Sequence, residues 1–395
     1  MLAVLVASTL SVALAVYFYT SNSETEQFEE HFQDNVDKVF DSYLRQIDLT
    51  LGIADSFVLG LVSYATHTNQ KWPFVTLPDF GKRLAKIRTL AKGTVVSTFL
   101  LVTLEQREQW QNYTVQHDGW VQEGREVQAN DTRYHGSNGE IHDNYGPSQG
   151  PGPFLPRWQT APVGSLYAPY NWDGASYDIL ATALPELFES RRVVMSRAFN
   201  LPDLDDPVSI AATEFSRAWV KDYISPDEDP TEPASDLYYP IIASDDENSG
   251  DKVVGVVSIC FFFRKFIENI LPQGSIILVF DNTCGQTFTY RLDGPRATYL
   301  GRGDLHDTKY DYLGTSTDLV ELINLQAHDD SYTGLPLSQQ QCSYLLSLYP
   351  SSDTKDELPR TIPQPSPLWP FSFLGSRRPS FSCTTALWSG ASKMS

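Results

Sequence analysis

Between Leu2 and Tyr19 the chain carries no charged residue, and from Phe28 to Leu61 apolar side chains return every three or four positions. These two adjoining patterns constrain the fold more than anything that follows. At a rise of about 1.5 Å per residue the first run covers about 27 Å, near the lower limit for a bilayer-spanning helix. Tyr17, Phe18 and Tyr19 would sit at its interface. Two readings stand: a transmembrane anchor over residues 1–20, or a signal peptide cleaved at the small-x-small triplet Ala13-Leu14-Ala15. No Lys or Arg precedes the run, which departs from both patterns. The anchor is the reading adopted. It places the protein in the membrane, with the residues after about Thr20 extracytoplasmic.

The second pattern predicts a long acidic helix over residues 21–66, striped by Phe28, Phe32, Val36, Val39, Tyr43, Ile47, Leu51, Ala54, Phe57 and Leu61. Glu24, Glu26, Glu29, Glu30, Asp34, Asp37 and Asp41 crowd its beginning, where the helix dipole favours negative charge. The stripe is either a core face packed on its own domain or the seam of a homodimer through the long helix, and both can hold at opposite ends. Trp72-Pro73 and Leu77-Pro78 end it, because proline removes a donor and disfavours helical geometry before it.

Beyond the break, Phe80–Leu90 reads as a short basic amphipathic helix, Thr94–Thr103 as a buried strand, and Leu104–Trp110 as the start of another helix. Residues 135–170, rich in Gly, Pro, Ser and Asn, are predicted to be a long excursion without ladder pairing. Helices are expected at Asp178–Glu189 and Ser209–Tyr223. Strand signals then concentrate: Leu237–Ala243 and Val253–Phe262 around an acidic turn, a short helix over Phe263–Leu271, and strands at Ser275–Phe280, Thr287–Leu292 and Ala297–Leu300. Hairpins separated by short helices define an α+β class, a PAS or Cache-like antiparallel sheet layer or layers with flanking helices. Residues 67–352 are expected to form this α/β layer, an extracytoplasmic sensor.

A net charge of -20 repels phosphate backbones, so no nucleic-acid partner is expected. The chain has four cysteines and no C-x-x-C pair. Cys284 and Cys342 flank the last strands and are expected to bridge, Cys260 reads as a buried free thiol, and Cys383 lies in the tail. Asn112 and Asn130 begin glycosylation sequons, and Asn282-Thr283-Cys284 is a rarer variant. His135, Glu140, His142 and Asp143 could gather as metal ligands, but their glycine-rich stretch offers no rigid frame, and no metal or cofactor is expected. Arg302-Gly303-Asp304 reads as part of a turn, and His306-Asp307 lacks the nucleophile elbow that would make it catalytic.

Several segments together, Leu49-Thr50-Leu51-Gly52, Trp72–Thr76, Gln109–Thr114, Asn269–Pro272, Phe288–Tyr290 and Tyr299–Asp307, resemble the extracytoplasmic region of receptor-type adenylate/guanylate cyclases of unicellular algae. The resemblance covers roughly residues 10–352. It implies a CHASE- or Cache-like sensor between two membrane helices, with a cytoplasmic cyclase domain beyond. This sequence shows neither a second apolar run nor a cyclase domain after Lys355, so no enzyme activity is assigned to it. Residues 353–395 are expected to be a disordered or frame-shifted tail: read two bases later, Leu368–Phe373 turns largely apolar. In a PAS-like layer an unknown extracellular small ligand would lie against the 237–243 and 253–262 strands, with Trp219, Tyr238 and Tyr239 as aromatic walls and Arg264 as an anion contact. The alternative is a secreted or surface structural glycoprotein without a small-molecule ligand.

Overall fold

The computed structural model of the chain describes residues 2–127, 139–143, 146–163, 170–200, 232–244, 250–320 and 342–351. The anchor and acidic helix read from sequence are one uninterrupted helix, α1 (Leu2–His67), about 99 Å long at the standard rise. No helix-breaking residue separates the two stretches, so the apolar run continues directly into the amphipathic one. The N-terminal part of α1 is long and apolar enough to cross a membrane, and its residues Val4 to Tyr19 are exposed. From Phe28 onward the stripe is buried, at Phe32, Val36, Val39, Tyr43, Ile47, Leu51, Ala54 and Leu61 among others. These side chains pack on the chain's own sheets. The core-face alternative therefore describes the stripe, and a second copy would have to meet α1 elsewhere.

After α1, helix α2 (Phe80–Leu90) leads into strand β1 (Val95–Leu100), and helices α3 (Arg107–Gln116) and α4 (Gly119–Val127) follow. The excursion expected over residues 135–170 is corrected in its described part. It holds a two-residue ladder of β2 (His142–Asp143) with β3 (Gly146–Pro147), and a true strand, β4 (Arg157–Ala161), antiparallel to β1. Pro156 and Pro162 bound β4 so closely that its five residues carry little strand signal of their own. Helix α5 (Asp178–Ser190) and strand β5 (Val194–Met195) precede the long hairpin of β6 (Ala234–Ala243) and β7 (Lys252–Phe262). A single helical turn, α6 (Phe263–Ile267), links β7 to strands β8 (Ser275–Asn282), β9 (Gln286–Asp293) and β10 (Arg296–Arg302). A 3-10 turn at Thr308–Leu313 precedes β11 (Thr315–Asp318) and β12 (Tyr344–Pro350), two strands absent from the sequence reading. The expected helix at 209–223, the turn at 245–249 and the 353–395 tail lie outside the described residues.

The strands form two five-stranded antiparallel sheets in the orders β4-β1-β7-β6-β5 and β10-β9-β8-β12-β11. Both rest on α1, at different heights. The second sheet meets it nearer the apolar run: Tyr43 packs on Phe280 and Phe266, Phe28 on Tyr310, and the backbone at Gly274 approaches Asn35. The first sheet meets its C-terminal half, where Tyr239 of β6 donates to Asp55 and Phe57 packs on Phe80 of α2. Gln46 and Thr50 of α1 donate to the carbonyls of Leu90 and Ala91, groups that the end of α2 leaves without helical partners. Between the sheets, Phe263 of α6 inserts among Phe280, Phe288 and Tyr344, while Tyr344 Oη donates to the Ser196 carbonyl at 2.9 Å. The sheet nearer the apolar run is therefore the second one, called proximal below; the first is distal.

At the β4 edge of the distal sheet, Trp110, Trp120, Trp158, Tyr113 and Tyr170 form an aromatic cluster joining α3, α4 and β4. Trp158 is fully buried, and its Nε1 donates to Thr76 Oγ1 at 3.1 Å. Cys284 and Cys342 are joined, with their Cα atoms 5.4 Å apart, and the bridge ties the β8–β9 turn to the residues just before β12. Trp158→Ala is expected to cost about 3–5 kcal/mol of unfolding free energy, measured by urea denaturation of the full chain in detergent. Breaking the bridge with Cys284→Ser is expected to cost about 2–4 kcal/mol in the same assay. Melting unchanged from wild type would refute either assignment.

Candidate functional site

The two faces of the distal sheet differ in a way that packing alone does not demand. One face presents Val96, Val257, Ile259, Leu237 and Ile241 to α1 and α2, all apolar and buried. The other is crossed by a row of polar side chains in strict register. Thr160 of β4 lies opposite Ser97 of β1, Ser97 opposite Ser258 of β7, and Ser258 opposite Tyr238 of β6. One step along, Asp236 lies opposite Cys260. Burying polar groups in a sheet interior costs free energy unless each is paired. Here they pair: Ser97 with Thr160 at 2.9 Å, Tyr238 Oη to Asp236 at 3.0 Å, and Ser258 Oγ to Asp236 at 3.3 Å.

Arg157 of β4 completes this face. Its guanidinium stands over the rings of Phe99, at 5.0 Å, and Trp172, at 4.9 Å, where cation–π attraction offsets part of its desolvation. Burial pushes its pKa down to about 10, and the Asp236 charge opposes that shift. Burial likewise raises the Asp236 carboxyl above the ordinary aspartate value, with hydrogen bonding from Tyr238 and the charge of Arg157 pulling the other way. The phenols of Tyr177 and Tyr238 and the thiol of Cys260 are pushed well up, chiefly by burial and then by the nearby Asp236 carboxylate. Cys260 is half-buried as a residue and makes no disulfide. Helix α5 lays Leu180, Ala183 and Leu187 over the apolar end of the same face. At the edge, Arg197 pairs with Asp178, the first residue of α5, at 2.5 Å. Beside this pair an open cleft of about 520 Å³ runs between the sheets, lined by Arg197, Asn200, Gln286 and Arg302 among others.

The candidate residues read from sequence are distributed differently. Tyr238 belongs to the polar face. Its neighbour Tyr239 points to the opposite side, toward Asp55 of α1, because successive residues of a strand alternate, so the two tyrosines do not wall one pocket. Arg264 sits on α6 between Glu232, at 2.9 Å, and Glu268, at 2.8 Å, so its charge is engaged by carboxylates at the junction of the sheets. Trp219, Asn130 and His135 lie outside the described residues. Asn112 is exposed on α3, while its sequon partner Thr114 is buried and accepts from Asn171 Nδ2 at 2.9 Å. Asn282, of the variant sequon, is buried and accepts from the backbone of Cys284 and Gln286. Among the described residues no three metal-ligating side chains gather, and His142 instead approaches the Glu140 carbonyl at 3.2 Å.

Arg157, Asp236, Trp172 and Tyr177 were not singled out from sequence. For Asp236 a signal existed, namely a carboxylate two residues before Tyr238 inside an otherwise buried strand. For Arg157 the surrounding prolines and glycines hid the strand itself. No known family model matches the chain, and no curated protein matches it.

The sign of the Asp236 shift gives a direct test. A carboxyl whose folded pKa is raised contributes stability that is full below the unfolded value and lost as pH rises through the folded one. Wild-type stability is therefore expected to carry a component that declines upward from the ordinary 3.8, and Asp236→Asn to lack it. Thermal melting of both proteins across acidic pH measures the difference. Parallel profiles would show that Asp236 holds no such proton.

Proposed function

We propose that this chain is the membrane-anchored, ligand-sensing part of a receptor, in which the polar face of the distal sheet binds a small polar molecule. The observation that carries the reading is the placement of two ionisable groups, the Arg157 guanidinium and the buried Asp236 carboxyl, on one sheet face, while the opposite face meets α1 through Val257, Ile259 and Leu237 with only neutral polar side chains such as Tyr239 and Thr98 among them. A core selected for stability alone gains nothing from such groups, and perturbed titratable residues cluster where ligands bind. The ligand class that fits carries an anionic group for Arg157 and a hydrogen-bond donor for Asp236.

The anchor supports the receptor part of the proposal. α1 runs from the apolar segment through both sheets without interruption, so a change at the distal sheet has a continuous helix on which to act. Strand β12 ends beside Ile276, next to Gly274, which approaches Asn35 of α1, so the chain leaves the proximal sheet at the end facing the apolar segment. This layout suits a PAS- or Cache-like sensor with the body outside the cell. The resemblance to receptor-type nucleotide cyclases implies a cyclase domain across the membrane from such a sensor. The disulfide fits an oxidising compartment, and Asn112 presents an accessible glycan acceptor. A homodimer would use the exposed faces of α1.

The full chain in lipid nanodiscs, screened by thermal shift against small polar metabolites, tests the proposal. A saturable stabilisation by at least one compound is expected, with affinity reduced by about tenfold or more, ~1.4 kcal/mol, in Arg157→Ala. An absence of saturable binding, with Arg157→Ala melting like wild type, would sink it.

A further inference from the structure

The proximal sheet carries a second group of ionisable side chains that the distal site does not use. After β10 the chain turns through Gly303 and Asp304, passes His306 and Asp307, and enters the 3-10 turn at Thr308–Leu313. The His306 ring lies flat on Tyr349 of β12, with centroids 3.7 Å apart and planes 7° from parallel. Its Nδ1 is 2.5 Å from Asp304 and its Nε2 2.6 Å from Asp311, so a carboxylate closes on each nitrogen. Asp307, adjacent in sequence, turns instead to Lys309 at 2.6 Å and caps the 3-10 turn through the Lys309 amide.

A neutral imidazole has one N–H and one lone pair, whereas the imidazolium has two N–H groups. Two carboxylates at hydrogen-bond distance on opposite nitrogens can both be satisfied only by the charged ring. Losing its proton would set a lone pair against an anionic oxygen, and one of the two contacts would have to open. Asp311 adjoins Tyr310, which packs on Phe28 where α1 leaves the apolar segment, and Tyr349 immediately precedes the last residue of β12. The clasp thus joins the first buried turn of α1 to the strand by which the chain leaves the sheet.

We propose that His306, Asp304 and Asp311 form a proton-operated clasp, giving the proximal sheet an input of its own, separate from the ligand site of the distal sheet. With the ring protonated, the 302–314 segment is held to β12 and α1; with the ring neutral, it loosens. The groups facing His306 are Asp304, Asp311, the Tyr349 phenol and, more weakly, Asp307 with its partner Lys309. The Asp307 carboxyl is held down by its hydrogen bonds to Lys309, while Lys309 is raised by Asp307 and the Tyr349 phenol by burial, so these three move away from the histidine range. Burial disfavours the charged ring, but its hydrogen bonds to Asp311 and Asp304 outweigh that and raise its pKa above 6.5. The clasp is therefore full below the ordinary histidine value and is lost as pH rises through the raised one.

Hydrogen–deuterium exchange of the full chain in nanodiscs between about pH 6 and about pH 9, corrected for intrinsic exchange, tests the clasp. Protection of peptides spanning 302–314 is expected to fall with rising pH, by about tenfold for each unit by which the clasp raises the histidine. Peptides of β1 should not change. In His306→Gln the pH dependence should vanish; in Asp311→Asn, which retains the histidine, the midpoint should move to lower pH. Protection of 302–314 that is flat with pH in wild type overturns the proposal. So does a midpoint that Asp311→Asn leaves in place, a result that decides the matter even where His306→Gln fails to fold. Ligand binding at the distal sheet is read separately, so neither failure can be mistaken for the other.

Discussion

Both sheets of this protein are assembled against one face of α1. The stripe from Phe28 to Leu61 packs first on the proximal sheet, through Phe28 and Tyr43, and then on α2 and the distal sheet, through Phe57 and the apolar residues around it. Neither sheet is closed: each leaves edge strands and needs one face covered, which the helix does for both. Burying these side chains removes enough apolar surface from water to dominate the folding free energy, since a buried residue of this kind contributes about 1.5–3 kcal/mol. Because one helix serves both sheets, they share a core, continuous from Phe32 through Leu348. Polar contacts then fix heights along the helix rather than supply its affinity, as Tyr239 does at Asp55 and Gln46 at Leu90.

That shared core makes the polar face of the distal sheet informative. The chain can bury apolar residues wherever a sheet meets a helix, and against α1 it does so at Val257, Ile259 and Leu237, with the Tyr239 hydroxyl paired to Asp55 beside them. On the far side, α5 again supplies Leu180, Ala183 and Leu187, yet the strands beneath alternate into Ser97, Ser258 and Asp236. The contrast lies within single strands, so it cannot follow from composition or from the position of the sheet. Arg157 between Phe99 and Trp172, with Asp236 across the strands from it, is a locally costly arrangement for a sheet interior.

Much of the architecture was legible in the residues. The three-and-four spacing located α1 and its buried face, prolines located its end, and the alternation around Leu237–Ala243 and Val253–Phe262 located the central hairpin. Phe80–Leu90 matched its helix at both ends. What escaped were elements whose stability is tertiary. β4 has five residues between prolines and exists because β1 offers it a partner, while β11 pairs only with β12 and follows a turn-rich segment. The disulfide was legible because its cysteines flank strands that pair in space. The site was legible only at Tyr238: register decides which residues share a face, and the pairing of Ser97 with Ser258 or of Asp236 with Cys260 involves positions far apart in sequence.

The unbroken continuity of α1 has a mechanical consequence. From Asp55, which accepts the hydrogen bond of Tyr239 in the distal sheet, to Val4 the helix extends about 77 Å. Rocking of that length by about 2° about the distal grip carries the far end through about 3 Å, an amplitude comparable to helix shifts at switching interfaces. A rearrangement at Asp236 too small to disturb its own strand thus has a lever long enough to become a displacement of the exposed apolar segment. The proximal sheet, which packs on the same rod part of the way along, is carried with it.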